Sequence, residues 1–311
     1  MTQDVPASTT SRRQALIGPA LAIVGVLGFS FKAILVKLAY AWAPIDAVTL
    51  LALRMIYAAP MFVVMAWWAS RRAAAEPMTR RDWLLLGWLG FIGYYLSSLL
   101  DFMGLQYITA ALERLVLFLY PTMVVLLTAA LFRQRIGGRK LLALALSYAG
   151  ILLVFAHDLR FGDNTRALWL GGALVFASAF CYSLYLVGAG PVISRLGSMR
   201  FIAWAMLISA VFVVAQFLAT RPLSALDVPL RIHLLALAMA TLSRVLPTYL
   251  IAEAIKRIGA DRTSLVGSLG PVFTIALGYW ILGEPVFGIQ LAGAALVLCG
   301  VTLVTLQARG R

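Results

Sequence analysis

The chain has 311 residues, 62% hydrophobic and 12% charged, with a net charge of +14 and a mean hydropathy of +0.94. A soluble domain is about half apolar and a quarter charged, so this composition excludes a soluble enzyme or binding module. The basic residues form no single stripe or tail, which leaves nucleic acid without support as a partner.

Apolar runs of about 20 residues, enough to cross a ~30 Å hydrocarbon layer, recur along the chain. Breaks at charge, Pro and Gly clusters predict ten helices, at 15–40, 46–69, 82–106, 110–132, 138–157, 167–190, 198–219, 231–256, 260–282 and 285–307. The first follows Arg12 and Arg13 and continues well past the ~7–15 apolar residues of a signal peptide, so it reads as a retained span. With the N-terminus inside, the inner segments hold seventeen Lys and Arg and the outer loops five. That bias predicts cytoplasmic termini in an inner (plasma) membrane protein. Residues 1–14 and 308–311 are then cytoplasmic tails and 158–166 a periplasmic linker. Trp42, Trp67, Trp68, Trp83, Trp169 and Trp280 fall near span ends, where amphipathic rings prefer to sit. Cys181 and Cys299 lie inside apolar segments, so both read as packing residues, with no disulfide framework or metal site.

Residues 115–155 lie without a gap on residues 265–305: Pro121 meets Pro271, Gly138 meets Gly288, Leu141 meets Leu291 and Gly150 meets Gly300. A shift of one more residue sets "GFSFKAILV" (28–36) on "AFCYSLYLV" (179–187). The repeat is therefore five spans long, 15–157 and 167–307. Five is odd, so the copies cross the membrane in opposite senses. In agreement, the loop "FRQRIGGRK" carries four basic residues and its counterpart "LGEPVFGIQ" none. Such an inverted repeat is a common plan for secondary transporters.

Residues 259–305, "GADRTSLVGSLGPVFTIALGYWILGEPVFGIQLAGAALVLCGVTLVT", resemble the EamA domain of the drug/metabolite transporter superfamily; "LLALRM" and "YPTMVVLL" carry the resemblance in the first half. The chain looks like the ten-span form with two EamA domains. The resemblance implies a central cavity among spans 1, 3, 4, 6, 8 and 9, with spans 5 and 10 peripheral. It also implies small metabolites as cargo, the superfamily handling amino acids, drugs, nucleobases and others. Gln134 stands where the family's turn glutamate is usual, while Glu284 keeps it in the second half.

Ionisable groups inside a membrane usually face a cavity and a partner. Lys32, Arg54, Asp101, Glu113 and Arg114 fall in the outer half of repeat one; Arg244, Glu253, Asp261 and Arg262 fall toward the cytoplasm in repeat two. The expectation is a gate at each face, paired when shut, with Asp101, Glu113, Arg114, Arg244 and Glu253 as gate or coupling groups. Lys37 reads as an interface anchor that snorkels to the headgroups. Candidate cavity residues are Phe31, Lys32, Tyr94, Tyr95, Tyr120, Tyr182, Tyr185, Tyr249 and Ser268, the tyrosines offering a flat face and a hydroxyl to a small amphipathic ligand. Pro121 and Pro271, matched inside the repeats, read as hinges. No Walker-type loop, cofactor motif or metal-ligand spacing is present.

The sequence thus predicts a secondary transporter that moves, and in one reading exports, amino-acid-like, nucleobase-like or drug-like metabolites by alternating access. An intramembrane enzyme and a non-transporting scaffold or sensor are the alternatives. Expected partners are a small-molecule substrate and the lipid bilayer, with a homodimer left open.

Overall fold

The computed structural model describes residues 9–71, 77–134, 136–161 and 164–307, without the side chains of 9–16, 260, 261, 264 and 304–307. Among the described residues nine helices are long and apolar enough to cross a membrane: α1 (Ile17–Trp42), α2 (Ala47–Ser70), α3 (Arg80–Gly104), α4 (Ala110–Leu131), α5 (Gly138–Arg160), α6 (Thr165–Leu196), α7 (Ser198–Thr220), α8 (Leu230–Gly259) and α9 (Leu265–Leu282). A shorter apolar helix, α10 (Gly288–Leu303), completes the set. The ten stand where the apolar runs predict them, and the protein is a multi-pass helical membrane protein. Of the basic residues that set the predicted orientation, Arg72, Arg135, Arg309 and Arg311 lie outside the described residues.

Local chemistry explains where helices begin. Asp46 accepts from the Val48 and Thr49 amides (3.0 and 3.3 Å) ahead of α2, Thr79 and Asp82 form a reciprocal capping box on α3, and Thr109 accepts from Leu112 N–H ahead of α4 (3.2 Å). Each satisfies amides that the first turn leaves without a helical partner. One end differs from expectation. Helix α6 passes through Pro191 to Leu196 and stops at Gly197, whose φ of +79° the helix cannot continue. Pro191 removes one donor without ending the helix, whereas a left-handed residue reverses it.

The packing is that of an inverted repeat. Helix α1 lies against α8 and α9, and its counterpart α6 lies against α3 and α4; α2 packs on α7 and α5 on α10. The last two pairs are each a helix against its own counterpart, so the pseudo-twofold axis passes between them. In the α5–α10 pair a Cβ at Gly150 would stand 2.5 Å from the Gly293 carbonyl oxygen, and one at Gly293 2.6 Å from that of Gly150. Small residues there let two backbones touch, the usual basis of helix association in lipid. The largest core cluster includes Ile34, Leu50, Phe102, Phe201 and Phe217, joining α1, α2, α3 and α7. The six tryptophans of the predicted interface belt are all exposed. Cys181 is buried as expected; Cys299 instead lies exposed on α10, because that helix is apolar all round and its pattern does not mark the packed face.

Candidate functional site

Two kinds of helix break recur at the repeat offset of 150 residues. Helix α3 widens to a π-turn at Phe91–Leu96 and α8 at Thr241–Val245. Helices α4 and α9 each break for two residues, at 118–119 and 268–269, and resume with Pro121 and Pro271 in the first turn of the second half. The Ser183 hydroxyl on α6 donates to the Tyr120 carbonyl at one break (3.2 Å), and the Ser30 hydroxyl on α1 to the Gly270 carbonyl at the other (3.1 Å). Irregular backbone at membrane depth needs such partners, or a cavity to line. Matched discontinuities are the feature that marks binding sites in inverted-repeat transporters.

A cavity of about 500 Å³ sits at these breaks, within the ~300–1,000 Å³ of small-molecule sites. Its walls come from α1, α2, α3, α4, α6, α8 and α9, and α5 and α10 contribute nothing. Tyr94 and Arg244 are counterparts under the repeat, and the Arg244 guanidinium lies 4.8 Å from the Tyr94 ring centre. The pseudo-axis therefore runs through the cavity. Tyr120 meets Tyr182 edge to face at 5.4 Å, and Tyr182 stacks near Tyr185 at 5.5 Å.

Toward the face where α4 begins, the far face, the cavity ends in charge. Lys32 Nζ donates to Asp101 Oδ2 at 2.5 Å and to Glu113 Oε1 at 2.8 Å. Glu113 is fully buried and the Lys32 side chain is 19% exposed. Further out, Tyr40 donates to the Phe102 carbonyl (2.8 Å) and Glu284 accepts from the Ala110 amide (3.0 and 3.1 Å). Lys37 Nζ donates to the Ile108 carbonyl at 3.0 Å. It does not snorkel as an anchor, because the carbonyls of the α3–α4 turn lie within its reach and solvent need not be sought. These bonds hold α1, α3, α4 and the end of α9 together, so the far face is shut.

At the other face, where α1 begins, the wall is different. Under the repeat, Lys32, Asp101 and Glu113 correspond to Ser183, Ile251 and Thr263, and Ile251, Ile255 and Thr263 line the cavity there. Gly25 backs onto Ile251 and Gly18 onto Ile258, which sets Ile255 about ten residues, or roughly 15 Å, along α1 from Lys32. Ile255 is itself 42% exposed. The cavity thus runs from the buried ion cluster toward the N-terminal face.

Of the sequence candidates, Lys32, Tyr94, Asp101, Arg114, Tyr120, Tyr182 and Arg244 line this cavity, as does Arg54. Glu113 stands directly behind Lys32. Tyr185 is buried one layer back, its hydroxyl 2.8 Å from that of Tyr94. Four candidates stand elsewhere. Tyr249 is 61% exposed on the outside of α8; Tyr95 packs with Phe91 and Phe212 between α3 and α7; Phe31 does not reach the wall; and Ser268 lines a smaller pocket of about 110 Å³ beside Pro121. Glu253 pairs with Lys256 (3.4 Å) and Arg257 (3.0 Å) one turn along its own helix, and not with Arg244. Arg262 is exposed, and the Asp261 side chain lies outside the described residues. No second ion cluster like that of Lys32 closes the N-terminal face among the described residues. Sequence reasoning missed the small hydroxyls Ser97, Ser98, Ser178, Ser243 and Thr263 in the wall; their signal was polar residues inside otherwise apolar spans.

The EamA-like transporter family matches residues 16–156 and 169–306, one domain in each repeat. The chain belongs to the EamA-like transporter family. This EamA-like transporter is 31% identical over 302 residues to YcbK of Bacillus subtilis strain 168, described as an uncharacterized transporter, with 93% of each chain covered. It is 25% identical over 210 residues to a probable amino-acid metabolite efflux pump of Escherichia coli K12, covering 65% of this chain and 69% of that one. A solved crystal structure has the same fold, at a TM-score of 0.62 and 21% identity, covering 97% of this chain and 99% of the other. The EamA-like chain is a membrane transporter of small molecules, built as two five-helix repeats around one cavity.

Proposed function

We propose that the protein carries small organic metabolites across the cytoplasmic membrane by alternating access, with the N-terminal face in the cytoplasm. The observation that carries this reading is the cavity on the pseudo-twofold axis, bounded by matched helix breaks and closed at one end by the Lys32–Asp101–Glu113 cluster. In the state described here it faces the cytoplasm. Parting the cluster opens the far side while α8 and α9 close over Ile251 and Thr263, the apolar and hydroxyl counterparts of the ionic layer. The relative described as a probable amino-acid metabolite efflux pump of Escherichia coli, at 25% identity, supports export as the direction.

Breaks with a frame of π-turns and paired prolines suit this motion, since backbone there is already free of the regular ladder. The test is counterflow of amino acids, nucleobases and organic acids in sealed proteoliposomes. Expected is saturable exchange of at least one class, reduced at least tenfold in Lys32→Ala. Equal flux in protein-free vesicles and proteoliposomes for every class would overturn the reading.

A further inference from the structure

The cavity holds more positive charge than its own carboxylates balance. Lys32, Arg54, Arg114 and Arg244 line it, against Asp101 alone, with Glu113 behind. Both carboxylates are engaged by Lys32, so even with both ionised two positive charges stay uncompensated. The three arginines form no ion pair among the described residues. Arg54 is 4% exposed, its Nη2 is buried without a hydrogen-bond acceptor among the described residues, and its guanidinium rests on the Phe102 ring at 4.7 Å. Arg114 Nε is likewise buried without an acceptor. Its guanidinium lies against Gly270 at the α9 break, where a Cβ would stand 2.7 Å from Nη2. Among the described residues the Arg244 guanidinium reaches the Met206 sulfur (3.0 Å) and the Tyr94 ring.

A buried guanidinium nitrogen without an acceptor is costly, and in a membrane more so, which makes it a sign of a ligand that completes it. The planar fork of arginine matches carboxylate and phosphate oxygens two at a time. These groups converge from α2, α4 and α8 on one space whose walls include Tyr94, Tyr120 and Tyr182. We propose that the transported substrate is an organic anion, its carboxylate or phosphate held by Arg54, Arg114 and Arg244 and its flat body by the tyrosines. This rests on the transport reading and narrows its substrate class. An anion leaving a cell also moves with the inside-negative potential, a bias of about 40-fold per 100 mV for each charge, so export against a gradient smaller than that requires no coupled ion.

The test uses one body in several charge states. Binding of 3-phenylpropionate, phenyl phosphate, L-phenylalanine and phenethylamine to the full-length protein in nanodiscs is measured by calorimetry. The same four compounds are then followed in proteoliposome counterflow. Expected is at least tenfold tighter binding of one of the two anions than of phenethylamine, with phenyl phosphate against 3-phenylpropionate deciding which oxyanion is preferred. Arg244→Gln is expected to weaken that anion by about 10- to 100-fold, and Arg244→Lys by less. Circular dichroism and the melting midpoint of both variants are expected to match the parent. An Arg244→Gln protein that loses its fold is replaced by Arg114→Gln for the same comparison. Tighter binding of L-phenylalanine or phenethylamine, or no binding of either anion, overturns the anion assignment. Carriage of phenethylamine but not of the anions would leave transport standing and this assignment refuted. Anion binding without counterflow of any compound would do the reverse.

Discussion

Replacing Lys32 by methionine keeps an unbranched apolar stem one atom shorter and removes the ammonium that serves two buried carboxylates. Asp101 Oδ2 at 2.5 Å and Glu113 Oε1 at 2.8 Å both lose their partner, and Glu113 is fully buried. Breaking a buried ion pair from one side costs about 3–5 kcal/mol, because a charge is left without compensation. At 1.4 kcal/mol per tenfold, the folded-to-unfolded ratio falls by about 100- to several thousand-fold. The loss comes from uncompensated charge, so removing the charges together should return most of it: Lys32→Met with Asp101→Asn and Glu113→Gln is expected within ~1 kcal/mol of the parent. Glu113→Gln alone leaves a one-to-one Lys32–Asp101 pair with a neutral acceptor beside it, and is expected to be mild. Unfolding in graded denaturing detergent, followed by circular dichroism for all four proteins, measures the cycle. A Lys32→Met protein as stable as the parent, or a triple variant no better than the single, would refute this reasoning.

Other consequences follow from single contacts. Gly150→Val sets a branched side chain where a Cβ alone meets the Gly293 carbonyl at 2.5 Å, so α5 and α10 must part, at an expected cost of about 1–3 kcal/mol; a midpoint equal to the parent's would contradict it. Pro271→Ala restores a backbone donor at the α9 break and is expected to slow counterflow several-fold with the melting midpoint unchanged; unaltered flux would remove the hinge role. Asp46, in the loop before α2, is pushed up by burial, but hydrogen bonds from Thr49 and Arg221 outweigh this and hold it below its ordinary value. A lowered folded-state value means that its contribution is present above the unfolded value of about 4 and is lost as pH falls through the folded one. Asp46→Ala is therefore expected to cost about 1 kcal/mol at neutral pH and progressively less below pH ~4; a difference that is the same at both pH values would contradict it.

The spans and the repeat were legible because both are written in long-range patterns: apolar length, loop charge and a constant offset of 150 residues. Pro121 and Pro271 marked the α4 and α9 breaks for the same reason. The π-turns at Phe91–Leu96 and Thr241–Val245 carry no proline and no identical residue at the matched positions 91–95 and 241–245, so only tertiary packing reveals them. Which face of a helix meets the cavity was the other illegible quantity. In lipid both faces are apolar, and Tyr249 on the outside of α8 reads like Tyr182 on the inside of α6. Depth was easier than direction: Lys32, Asp101 and Glu113 share a level by counting residues, and they meet. Arg244 and Glu253 sit nine positions apart on one helix and point to different surroundings, with Lys256 and Arg257 at the i+3 and i+4 positions taking the carboxylate.

If one cavity is reached from each face in turn, a single cysteine at Ser98, in the cavity wall, reports it when introduced with Cys181→Ala and Cys299→Ala and probed by a membrane-impermeant thiol reagent added to one side at a time. The predicted result is rapid labelling from the N-terminal face in the parent and labelling from the far face once Lys32→Ala parts the cluster, each slowed by a transported substrate. Labelling confined to one face in every variant, including during measured counterflow, would contradict alternating access.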